Sequence, residues 1–69
     1  MFYNLDVELK KQRISKKELT NMLNQRGVDI TYPTVCRWIR GDTEPTFEQA
    51  GIISKILGKE MGYLFEKEI

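Results

Sequence analysis

Apolar residues recur at three- and four-residue spacings along most of the chain, as they do in helices that each bury one stripe. Leu5 and Leu9, with Val7 or Phe2 alongside, predict a first helix over roughly 5–13. Asn4 is placed to cap it, and Lys10, Lys11 and Arg13 crowd its end, where cations complement the helix dipole. Ser15-Lys16-Lys17-Glu18 is a capping box, hydroxyl at the cap and carboxylate three residues on. It opens a second helix of about 16–26, with Leu19, Met22 and Leu23 as its buried stripe and Gly27 as its stop. Val28-Asp29-Ile30 leads to a third helix over 31–40, Ile30 dropping into the core just before it. Thr31 is expected to accept a first-turn amide, Pro33 is tolerated where amides lack partners, and Gly41 suits a left-handed end. Val35 and Trp38, three apart, share that helix's buried face.

Asp42-Thr43-Glu44-Pro45 reads as a turn. A second capping box, Thr46-Phe47-Glu48-Gln49, starts a fourth helix at about 47–57. Phe47, Ala50, Ile53, Ile56 and Leu57 form its apolar face, and Gly58 its cap. A last turn around 60–65 returns Met61, Leu64 and Phe65 to the core. No segment alternates with a period of two, so no sheet is expected. The fold class is all-α, a compact bundle of four helices and a short fifth, in a single domain over 1–69.

Composition narrows the chemistry. The chain has 69 residues, no histidine and one cysteine, Cys36. That excludes an intrachain disulfide and a zinc site, and it suits a reducing compartment. Catalysis would need a base near neutrality or a nucleophile with a partner, and neither is evident, so no enzyme activity, cofactor or small-molecule substrate is expected. The apolar runs are too short to span a membrane, and no signal peptide is read, which makes cytoplasm the expected location. The net charge of +1 conceals an asymmetry. Residues 1–40 carry eight cations against four carboxylates, +4, and residues 41–69 carry three against six, −3. Such a dipole turns its basic end toward a polyanion, although a solvated mixed surface would show the same counts. The third helix, apolar behind and basic-aromatic in front, has the form of one that enters a DNA groove.

The order of parts resembles the lambda-repressor-like helix-turn-helix family, of Cro, phage-repressor or XRE type. Ser15-Lys16-Lys17-Glu18-Leu19 looks like that family's opening of helix 2, and Thr31-x-x-Thr34-Val35-x-Arg37-Trp38-x-x-Gly41 is similar to its recognition helix. Glu44-Pro45-Thr46-Phe47 with Ile53 and Ile56-Leu57-Gly58 resembles its helix 4, and Met61-x-x-Leu64-Phe65 its closing segment. The joint between helices 2 and 3 is several residues longer than the family's usual tight connection. Leu23-x-x-Arg26-Gly27-Val28-x-Ile30-Thr31-x-x-Thr34-Val35-x-Arg37-Trp38 also looks like helix-turn-helix segments of some transposases.

The resemblance implies a helix-turn-helix at about 15–41 whose second helix lies in the major groove of double-stranded DNA. It puts Tyr32, Pro33, Cys36 and Arg37 at or near base edges. Arg37 can donate twice to guanine, or else pair with Glu18 or Glu44 within the domain. Tyr32 meets a thymine methyl or a phosphate, or else packs partly buried. Cys36 is read mainly as a small apolar residue, and Trp38 as structural. Lys16 and Lys17, beside the free amides of helix 2, are phosphate contacts, with Arg13, Thr31, Arg40 and Thr43 flanking them. Asp42 and Glu44 oppose binding. The expected role is a sequence-specific transcriptional regulator, homodimeric on a pseudo-palindromic operator, with Tyr63, Leu64, Phe65 and Ile69 as the candidate interface. The rivals are a protein-binding regulator of antirepressor kind and an excisionase- or transposase-type recombination factor.

Overall fold

A computed structural model describes residues 4–66, and five helices account for most of them. They are α1 (Asn4–Gln12), α2 (Lys16–Gln25), α3 (Tyr32–Arg40), α4 (Phe47–Leu57) and α5 (Met61–Leu64). There is no strand among the described residues, so the all-α expectation holds. Phe2 and Ile69, assigned above to the first helix and to an interface, lie outside the described residues.

Both predicted capping boxes form. Ser15 Oγ accepts from the Glu18 amide at 3.0 Å while Glu18 accepts from the Ser15 amide at 3.1 Å. Thr46 and Gln49 repeat the arrangement at the head of α4. Thr31 occupies the N-cap position of α3 with extended backbone, but its hydroxyl pairs with that of Thr34 at 3.1 Å and takes no amide. At the other end Gly41 (φ 80°) closes α3 as expected: its amide donates to Trp38 O, and the Asp42 amide reaches back to Arg37 O. The same pattern ends α1 with Arg13 in the left-handed position, φ 58°, a conformation that disfavours every residue bearing a Cβ. The Ile14 amide then donates to Leu9 O at 2.9 Å.

The core comprises Leu5, Leu9, Leu19, Leu23, Ile30, Val35, Trp38, Ile39, Ile53, Leu57 and Leu64. Ile39, absent from the predicted stripe, completes an i, i+3, i+4 face with Val35 and Trp38 and is fully buried. Met22, by contrast, is only half-buried. Phe47 departs most from expectation, being 81% exposed. Ala50, Ile53 and Leu57 form the buried stripe of α4, and about 100° of rotation per residue leaves Phe47 a quarter-turn away at the helix end. Leu64 is fully buried, so it cannot belong to an interface, while Tyr63 and Phe65 pack half-buried against the core.

Polar side chains tie the two ends of the chain together. Asn4, inside the first turn of α1, donates through Nδ2 to Tyr63 O at 3.1 Å, and its amide donates to Glu66 O. Gln12 Nε2 donates to Leu57 O at 2.9 Å, giving an otherwise unpaired carbonyl at the end of α4 a partner. Glu8, buried on α1, faces Lys59 Nζ at 3.8 Å.

Candidate nucleic-acid interface

With Val35, Trp38 and Ile39 turned inward, the helical repeat sets Pro33, Arg37 and Arg40 along the outermost line of α3. Cys36 and Tyr32 flank that line on one side and Thr34 on the other. All three outermost residues are exposed, Tyr32 is 47% exposed, and Cys36 is half-buried. Of the two carboxylates weighed as partners for Arg37, Glu18 accepts from the Ser15 amide in the capping box, and Glu44 lines the same cleft as Arg37. Arg40 Nε lies 3.0 Å from Asp42 Oδ2, both side chains being more than half exposed. A pair so open to water contributes little and exchanges readily for another anion.

A cleft borders α3 on each side, and the two are of opposite character. One, of about 330 Å3, lies between the end of α1, the start of α2 and Tyr32; Lys10, Lys16 and Lys17 line it with Leu9, Ile14 and Ser15. Asp6 lies 3.1 Å from Lys10, and Lys16 and Lys17 form no ion pair among the described residues. These lysines sit in the first turn of α2, where the dipole and unpaired amides already favour an anion. Tyr32 and Cys36, one turn apart, interact across the rim: hydrogen bonding and charge interaction with the thiol hold the Tyr32 phenol above its ordinary range. The other cleft, of about 510 Å3, lies between the α2–α3 joint, α3 and the head of α4. Arg37, Thr31, Thr34 and Thr43 line it with Asp29 and Glu44, so here the arginine stands among carboxylates.

The predicted contacts therefore divide. Tyr32, Lys16 and Lys17 converge on the basic cleft, with Arg13 at the adjoining end of α1. Arg37, Thr31 and Thr43 converge on the second, and Pro33 and Arg40 stand between. Thr34 and Asp29 belong to the second cleft and were missed. Thr34 falls at the edge of the α3 face and Asp29 in the joint, where a periodic pattern carries no information about direction. Among the described residues no cluster of His, Cys, Asp or Glu could hold a metal ion, and no helix is long and apolar enough to cross a membrane.

Residues 5–45 match the family model of the Mu-like transposase middle domain. The match takes in α1, α2, α3 and the turn beyond, ending before α4. It is a transposase family and not specifically the Cro or XRE type, which favours the transposase likeness of the Leu23–Trp38 segment over the repressor one. No curated protein and no solved structure shows a significant match.

Proposed function

Since this chain belongs to the Mu-like transposase middle domain family, we propose that it is a double-stranded-DNA-binding element for transposition or recombination. It reads the major groove with α3 and contributes binding, not catalysis. One observation carries the reading: an outward line, Pro33-Arg37-Arg40, with two arginines runs beside a cleft whose cations Lys16 and Lys17 stand at a helix N-terminus. That is the division of labour of a helix-turn-helix, the second helix at base edges and the first across the backbone. In this reading Arg37 donates to a guanine, with Pro33, Tyr32 and Cys36 beside it. Lys16, Lys17 and Arg13 take phosphates on one strand, while Arg40, Thr31 and Thr43 flank the helix. Asp29 and Glu44 make the second cleft a poor phosphate site, so docking is driven from the α2 side.

A sequence-specific repressor of Cro type is the second reading, favoured by the Thr31–Gly41 helix with its glycine end in register. It calls for a homodimer whose interface lies elsewhere than Leu64.

Fluorescence anisotropy with random duplex, at two salt concentrations, tests the proposal. Wild type binds, and more weakly in higher salt as counterion release requires. On a duplex selected by the wild type from a random library, Arg37→Ala loses preference over random duplex by about 1–3 kcal/mol at the contacted base, while keeping non-specific binding. No binding at low salt and high protein concentration would overturn the assignment.

A further inference from the structure

Tyr32 and Phe47 are the exposed large apolar residues of the described chain, and they lie on different surfaces. Phe47 stands at the head of α4, 81% exposed, and with Pro45 and Met61 lines one wall of a hollow of about 210 Å3. Glu48 follows it on the exposed first turn of the helix. This surface is an aromatic knob with an acidic neighbour. The cleft beside Tyr32 is its counterpart in sign: Leu9, Ile14 and the Tyr32 ring give it apolar walls, and with Asp6 paired to Lys10 the charge of Lys16 and Lys17 makes it positive. The hollow and the cleft share no residue.

We infer that copies of this chain associate head to tail, Phe47 of one seated in the Leu9–Ile14–Tyr32 cleft of the next and Glu48 set against Lys16 and Lys17. An apolar projection set into a cleft elsewhere on the same molecule makes a contact between unlike surfaces, which adds copies in sequence unless the rotation between them closes a ring. Burying the phenyl ring supplies the attraction, and an ammonium over its face adds to it. The carboxylate and lysines set the orientation and make the contact sensitive to salt. The family match ends before Phe47, so the knob lies outside the matched segment. The contact stands without the DNA reading, but it fills the cleft whose lysines that reading gives to phosphates, so DNA and a second copy compete for Lys16 and Lys17.

Sedimentation velocity of the whole chain over a rising concentration series tests this. At low salt the weight-average mass of the wild type grows with concentration, and moderate salt reverses the growth. Phe47→Ala stays monomeric, and so does Lys16→Glu/Lys17→Glu. Circular dichroism checks that both remain folded, as expected for exposed residues and for acidic groups at a helix N-terminus. Mixing the two variants is the decisive arm. One retains only the cleft and the other only the knob, so together they form a capped one-to-one pair at twice the monomer mass. A symmetric dimer that exchanges the contact reciprocally stops at twice the monomer mass in the wild type, whereas sequential addition carries the wild type past it. A wild type that stays monomeric to millimolar concentration, a mixture that stays monomeric, or a Phe47→Ala variant that associates like the wild type would each overturn the inference.

Discussion

Replacing both lysines at the head of α2 by alanine should change how DNA binding responds to salt more than any other surface change. Each phosphate neutralised releases counterions, so the logarithm of affinity falls with the logarithm of salt by about 0.9 per contact. Arg13, Lys16, Lys17 and Arg40 are the cations assigned to phosphates, for a slope of about −3.6. If Asp42, 3.0 Å from Arg40, cancels that residue's share, the slope is about −2.7. A fourfold rise in salt then weakens the wild type by roughly 40- to 150-fold, and Lys16→Ala/Lys17→Ala by only about 4- to 12-fold. Folding should survive, because two cations leave the positive end of a helix and the Ser15–Glu18 capping box is untouched. The assay is anisotropy on one duplex over a salt series, with both proteins compared at each step. A double variant that binds more weakly but keeps its slope within about half a unit of wild type would refute the placement of these lysines on phosphates.

Other perturbations separate local causes. Ser15→Ala should lower stability by about 1 kcal/mol, whereas Thr31→Ala, whose hydroxyl takes no amide, should cost clearly less; thermal melts of the pair make the comparison. Gly51 lies inside α4 with nothing within 4 Å of the position a Cβ would take. Gly51→Ala should therefore stabilise by about 1 kcal/mol, a rise in Tm of roughly 4–8 °C, and an unchanged melt would count against that helix. The raised Tyr32 pKa means that the folded state holds the phenolic proton more tightly than the unfolded chain does. Its contribution to stability is thus complete below the ordinary phenol range and is lost as pH climbs through the folded value. Spectrophotometric titration, with the Tyr32→Phe trace subtracted, should show that phenol returning to its usual range in Cys36→Ala.

Periodicity and capping chemistry made the helices legible from sequence. Ser15 with Glu18 and Thr46 with Gln49 marked two helix starts, and Gly27, Gly41 and Gly58 marked three ends. The left-handed Arg13 could not be read, because nothing in that residue type announces the conformation; it accompanies the packing of Ile14 against the core and the Ile14 amide's bond to Leu9 O. Thr31 had the right identity for a cap, yet its hydroxyl found Thr34, a choice between two nearby partners that spacing does not decide. Phe47 looked like core by hydropathy alone, and only its angle relative to Ala50, Ile53 and Leu57 shows otherwise. The candidate interface was partly visible. Lys16, Lys17 and Arg37 carry recognisable chemistry at readable positions on their helices. Which cleft each lines depends on how α1, α2 and the joint pack around α3, and the acidic company of Arg37 arises from residues in connecting segments.

The two hydrogen bonds made by Asn4 bring the first and last described turns within one bond length of each other, 3.2 Å from Asn4 N to Glu66 O. A polypeptide that enters and leaves at one point spans almost no distance in traversing the bundle. Such a unit can be set into the surface of a larger protein as an excursion, with the flanking segments as close together as if it were absent. By the same geometry, a short bridge from residue 66 back to residue 4 would make the backbone a ring with little closure entropy to overcome.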